Sequence, residues 1–144
     1  MSEPRWIWQC DHVIPSQPGA GRNIRQDVLR QLHQANWGQH DVFSIHLALE
    51  EALVNAIRHG NRFDVKKRVH VCCKMAPDRI WIEISDEGPG FNPQTVPDCT
   101  AAENLEVPSG RGLKLMRCFM NRVEYNPQGN CVVMEKIRAT GDEA

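Results

Sequence analysis

The run from Arg68 to Ile84 constrains the fold of this chain more than any other stretch. Val69, Val71, Cys73 and Met75 alternate with polar or charged neighbours, and beyond Ala76-Pro77-Asp78 the residues Ile80, Ile82 and Ile84 alternate with Trp81 and Glu83. A period of two places each apolar set on one face of a strand, and the short turn between the runs predicts an antiparallel hairpin. One face of that hairpin must be covered by another layer, while the face carrying Trp81 and Glu83 can meet solvent.

The covering layer is legible on both sides of the hairpin. From about Asn23 to Asn36, Ile24, Val28, Leu32 and Ala35 recur at helical spacing, and Trp37-Gly38 closes the segment. Asp41 reads as the cap of a second helix that runs to about Arg58, where His59-Gly60-Asn61 offers residues that tolerate a left-handed backbone. Residues 5–14, rich in aromatic and β-branched side chains, predict an opening strand at a sheet edge. After SDEGPGF come about twenty residues rich in Pro, Asn, Asp and Thr, too long for an ordinary connection, and such loops are usually mobile and functional. Gly110-Arg111-Gly112 opens a helix with Leu113, Met116, Phe119 and Met120 toward the core, and two last strands flank the turn at 126–130. This order predicts one domain over 1–144, a two-layer α/β sandwich with helices packed on one face of a mixed, mostly antiparallel sheet. Within it, residues 1–20 supply the N-terminal strand and a linker.

Composition removes several function classes. With 17 basic and 18 acidic side chains in 144 residues, the net charge of -1 provides no field for holding nucleic acid or an acidic membrane surface. No apolar run approaches the roughly 20 residues of a membrane span and the N-terminus lacks a signal-peptide core, so a soluble, cytoplasmic chain is expected. Six cysteines include no C-x-x-C pair, and the adjacent Cys72 and Cys73 point to opposite faces of a strand, which favours free, mostly buried thiols in a reducing compartment.

The chemistry-bearing residues fall into three clusters. Glu51 and Asn55 lie four residues apart, so on a helix both project from one face with His59 a turn further on, opposite a stripe of Ile45, Leu49, Ala52, Leu53 and Ala56. A carboxylate and an amide oxygen one turn apart can hold a water and a hard cation together. Asp86-Glu87-Gly88-Pro89-Gly90 follows a strand, where glycines let a ligand approach the backbone and Asp86 can accept a hydrogen bond from an exocyclic amine. Ser109-Gly110-Arg111-Gly112 opens a helix whose free N–H groups and dipole favour an anion. Singly these patterns read as a solvated helix face, a strand-to-loop turn and a helix cap; their order and spacing together carry the signal.

With ALEEALVNAIRHGN, ISDEGPGF and PSGRGLKLMR in that order, the chain resembles the GHKL, or Bergerat-fold, ATPases, the superfamily of gyrase, histidine kinases and MutL. It is most similar to the bacterial anti-sigma-factor serine-protein kinases, over about residues 20–138. The resemblance implies a Bergerat ATP-binding fold and an ATP-dependent protein serine/threonine kinase, with ATP and Mg²⁺ as cofactors. It implies that Glu51 is the base that orients the attacking hydroxyl, Asn55 the magnesium ligand and Asp86 the reader of the adenine amine. Gly88 and Gly90 would let the base lie against the loop, residues 92–109 would form a lid, and Gly110, Arg111, Gly112 and Leu113 would contact the phosphates or set the helix that does. The implied partners are a serine-bearing antagonist of an anti-sigma factor and a sigma factor, with a homodimer as the implied assembly. Two other readings stay open: a nucleotide-sensing binding module without turnover, and the ATP-binding domain of a phosphorelay protein acting on a separate His-containing chain. The chain has no phosphorylatable-His dimerisation helix, and Asn121-Arg122 stands where relatives often carry acidic residues.

Overall fold

A computed structural model describes residues 5–90 and 116–139. Its strands are β1 (Trp8–Pro15), β2 (Arg68–Ala76), β3 (Arg79–Asp86), β4 (Arg122–Tyr125) and β5 (Cys131–Ile137), joined in one sheet in the order β1-β2-β3-β5-β4. Every pairing among the described residues is antiparallel, so the sheet expected to be mixed and mostly antiparallel is antiparallel throughout. Helices α1 (Arg22–Gln34) and α2 (Gln39–Val54) cover one face, and α2 continues as a π-helical stretch, Asn55–Gly60. No helix among the described residues is long and apolar enough to cross a membrane.

The hairpin forms as its alternation requires. Val71 stands opposite Ile84, Cys73 opposite Ile82 and Met75 opposite Ile80, while β5 adds Val132 and Met134 across from Ile84 and Ile82. These side chains are buried and meet Ile24, Val28 and Leu32 of α1 and Ile45, Leu49 and Leu53 of α2. Burial of each is worth about 1.5–3 kcal/mol, and a one-residue slip would turn the whole set to solvent, so the core itself holds the register. On the other face Lys74 Nζ lies over the Trp81 ring, 5.1 Å from its centroid, and over Trp6 at 5.9 Å. At 116–119 a helical segment ends against the core through Met116, and Met120 is buried just beyond it.

The ends of α2 differ from the expectation. Asp41 is not its cap: the helix begins at Gln39 with Gly38 flanking it, and Asp41, 1% exposed, accepts the Ala139 N–H at 2.9 Å with Lys136 Nζ 3.9 Å away. An acid in the first turn suits the helix dipole, and the chain leaving β5 has captured it. The helix also runs past Arg58, because its last turn widens: Asn61 N–H bonds Ala56 O at 2.9 Å and Phe63 N–H bonds Ile57 O at 3.0 Å. The extra residue of the π turn carries the exit downstream, so the left-handed residues are Arg62 (φ 51) and Phe63 (φ 59), not those at 59–61.

Asn61, 1% exposed, fastens that exit to the sheet. Its amide donates to Ser16 Oγ at 2.8 Å and to Arg68 O at 2.9 Å, and its Oδ1 accepts the Glu87 N–H at 2.8 Å. The ends of β1 and β3 and the start of β2 thus meet on one buried carboxamide. Asn61→Ala strands the Glu87 N–H and the Arg68 carbonyl, so a loss of about 2–4 kcal/mol is expected from urea denaturation with an unchanged m-value.

Candidate functional site

At the end of the sheet where β3 and β5 meet the helix exit lies a cavity of about 70 Å³ lined by Asn55, His59, Gly60, Asp86, Tyr125 and Asn130 among others. Asn55 opens the π-helical stretch and is 7% exposed. Its Nδ2 has no hydrogen-bond partner among the described residues. Ala52 and Ala56, expected on the opposing stripe, share the cavity wall with it, because a helix buried on most of its circumference has no clean polar face.

Asp86 ends β3, where its N–H donates to Asn130 O at 2.9 Å, and its Oδ1 accepts the Gly88 N–H at 2.8 Å. Burial pushes its carboxyl up to about 6, against the opposing pull of the Gly88 N–H and the Lys67 charge. The cause of that burial is close packing. A Cβ on Gly60 would overlap the Asp86 carboxylate, and one on Gly88 would overlap the Gly60 carbonyl. Gly90, at φ +83, has its α-carbon against the Gln128 carbonyl. The glycines expected to admit a base to the loop are therefore required first by the protein's own backbone.

Glu51 is half-buried one turn before Asn55 and does not line the cavity. Burial pushes its carboxyl up, and the neighbouring Glu50 adds to the shift. Glu51, Asn55 and Asp86 all act on Tyr125 at the end of β4: burial of its hydroxyl pushes it up to about 12, the Asn55 carboxamide beside it works the other way, and the charges of Asp86 and Glu51 raise it. Residues from the helix exit and the end of β3 thus act on one phenol at the end of β4.

Tyr125 and Asn130 escaped the sequence reading. The turn at 126–130 was legible, and it is held by Asn126 Oδ1, which accepts the N–H groups of Gly129, Asn130 and Cys131 at 2.8, 3.0 and 3.2 Å. Nothing local reveals that this turn packs on Gly90 or that Asn130 Nδ2 reaches Gly88 O at 3.5 Å. Gly110, Arg111, Gly112 and Leu113, and the segment 92–109, lie outside the described residues. No group of three or more His, Cys, Asp or Glu side chains among the described residues forms a metal cluster. Asn55 lines the cavity, and the Oδ1 of its carboxamide is a hard oxygen donor that could be one ligand of a magnesium ion whose other ligands are phosphates and water, so the residues present fit a metal carried in with a nucleotide.

A family model described as a histidine kinase-like ATPase domain matches residues 14–136. This chain belongs to that family. Within the family it is similar to the serine-protein kinase RsbW of Bacillus subtilis, 26% identical over 130 residues that cover 85% of this chain and 81% of the relative. An anti-sigma F factor of Clostridium acetobutylicum is 31% identical over 103 residues, 67% of this chain and 70% of that protein. The serine/threonine-protein kinase BtrW of Bordetella bronchiseptica is 28% identical over 91 residues, 62% of this chain and 64% of its own length. A crystal structure of the RsbU and RsbW domains of a Mycobacterium tuberculosis protein superposes with a TM-score of 0.62 at 16% identity, covering 93% of this chain and 34% of that one, and shares the fold.

The raised Asp86 carboxyl has a pH consequence. Its ordinary value is near 3.8 and the folded value about 6, so ionising it opposes folding. That penalty is absent below the ordinary value, grows as pH rises through the window between the two, and is full above the folded value. Asp86→Asn removes the titrating group, so its stability relative to the parent should rise from pH 4 to pH 7 in urea midpoints, and the parent's Asp86 carboxyl carbon should titrate near pH 6 by NMR.

Proposed function

We propose that this chain is an ATP-dependent protein serine/threonine kinase and anti-sigma-type regulator that phosphorylates a serine or threonine of an antagonist protein. Whether that antagonist is phosphorylated then decides which partner the kinase holds, the antagonist or a sigma factor. The observation that carries the reading is the convergence of Asn55 and Asp86 on one cavity, in a chain whose relatives are named as serine-protein kinases and anti-sigma factors.

In this reading Asp86 accepts the adenine amine, with Gly88 and Gly90 keeping the loop flat beside the base. Asn55 holds magnesium, and Gly110, Arg111, Gly112 and Leu113 bind the phosphates, with 92–109 as the lid. Held by Asn55, magnesium would supply charge neutralisation to the phosphates. Glu51 orients the acceptor hydroxyl and takes its proton; partial burial raises its carboxyl, which makes it a stronger base than an exposed glutamate. The protein is read as cytoplasmic and as a homodimer.

Glu51→Gln should bind ATP as the parent does and transfer phosphate roughly 10²- to 10⁴-fold more slowly, the usual contribution of a positioned base. Asn55→Ala should weaken both binding and transfer. Titration calorimetry beside a labelled-ATP time course with a serine-bearing antagonist reads both quantities, and an acid-stable label marks a phosphoserine or phosphothreonine. Transfer by the Gln variant at the parental rate sinks the role given to Glu51. Binding without transfer by the parent favours the nucleotide sensor, and an acid-labile label favours a phosphorelay.

ATP affinity supplies a second test. Asp86→Asn can place an amide donor against the adenine amine, so ATP binding should be lost in calorimetric titration while the fold persists. Undiminished binding removes Asp86 from the nucleotide site.

A further inference from the structure

Cys10 and Cys73 stand directly opposite one another in the β1–β2 pair. Opposed residues in an antiparallel ladder have Cα atoms about 4.5 or 5.5 Å apart, and both separations lie within the span of a disulfide. Both side chains point to the helix-covered face: Cys73 is fully buried in the core, and Cys10 packs against it partly buried. The two thiols are close enough that each is the largest influence on the other's titration. The other described cysteines have no such neighbour. Cys72 faces Asp11 and Glu83, Cys131 faces Ser85, and Cys118 is exposed on the helical segment at 116–119.

We propose that Cys10 and Cys73 are an oxidation site that closes to an intramolecular disulfide when the chain meets a hydroperoxide. Contact with Cys73 pulls the Cys10 thiol down, although burial and the charges of Asp27 and Asp11 oppose that pull, while the same contact and burial push Cys73 up. Cys10 is the more exposed and the readier to lose its proton, so it reacts first. Its thiolate attacks one peroxide oxygen and the O–O bond breaks. The leaving alkoxide, or hydroxide from hydrogen peroxide, takes up the proton Cys10 released, and Cys10 becomes a sulfenic acid. The Cys73 sulfur then attacks Cys10 Sγ: the S–S bond forms, the S–O bond breaks, and the hydroxide leaves as water with the Cys73 proton. The two sulfurs lose two electrons and the peroxide bond gains them. The bridge ties the edge strand β1 to β2 and encloses α1, α2 and the helix exit in one covalent loop, a constraint that acts on the unfolded chain.

The test uses the full chain carrying Cys72→Ser, so that the adjacent thiol cannot be mistaken for Cys73. The reduced protein is exposed to hydrogen peroxide, alkylated, digested without reductant and mapped by mass spectrometry. The expected product is a peptide pair linked through Cys10 and Cys73 that dithiothreitol separates, together with a thermal midpoint raised by several degrees in the oxidised chain. Cys10→Ser should leave Cys73 reduced, and Cys73→Ser should leave Cys10 as a sulfenic acid that dimedone traps. The proposal is overturned if Cys10 stays a thiol, if it proceeds to the sulfinic acid with Cys73 still reduced, or if the bridge joins other cysteines or two chains. Should a variant fail to fold, fragmentation between residues 72 and 73 of the linked peptide from the unsubstituted chain decides the same question.

Discussion

Gly60 lies against Asp86 and Gly88 with no side chain between them, and that contact determines how the helix layer meets the sheet. Any larger residue at 60 or 88 would push the helix exit off the end of β3. Asn61 then converts the approach into a fixed junction through its hydrogen bonds to Ser16, Arg68 and Glu87. The same contact withdraws the Asp86 carboxylate from water, which is the largest cause of its raised titration. Packing and electrostatics at this end of the molecule therefore share one origin: the geometry that lets the layers close also prepares a carboxylate that gains from a ligand donor.

The widened turn at Asn55–Gly60 belongs to this arrangement. A π turn carries an extra residue, and such turns occur mostly as short insertions at functional sites. Here Ala56 and Ile57 stay in the core while Asn55 is left in the cavity wall with an amide end that the described protein does not satisfy. The position of Asn55 beside Asp86 and Tyr125 fits a place reserved for a polar ligand.

The parts of this fold visible in the sequence are those set by repeated local patterns. Alternation over 68–84 specified the hairpin, its buried face and, through the turn, its register, because a period of two leaves no freedom once one face is apolar. Glu51 and Asn55 were visible as polar groups one helical turn apart, and Asp86 as the start of a D-x-G-x-G pattern after a strand. What stayed hidden depends on partners distant in the chain. Asp41 looked like a cap because acids favour helix starts, yet its partner is the Ala139 amide. Asn61 looked like a helix stop, but its carboxamide serves strands that no local window contains. Tyr125 sits on a four-residue strand with an ordinary alternating pattern, and only the closing of β4 on β5 brings it to Asn55.

The opposite end of the sheet explains how the site end can be built from glycines and asparagines. There α2 and β3 begin and β5 finishes, and charged side chains join them. Arg138 reaches Asn36 O at 2.6 Å and Pro77 O at 3.3 Å with its guanidinium over the Trp37 ring, and its N–H bonds Asp78 O at 2.8 Å. Lys136 Nζ holds Phe119 O at 2.8 Å and lies near Asp41. Long side chains can make this end firm because nothing there requires close backbone approach. Where β3 ends the reverse holds: the layers must come within backbone contact around a space a ligand can enter, so bulk is excluded and short carboxamides supply the hydrogen bonds. The described elements are thus tied by long charged side chains at one end and by close backbone contact and short carboxamides at the other, where Gly60, Gly88 and Asn61 hold the junction beside Asp86.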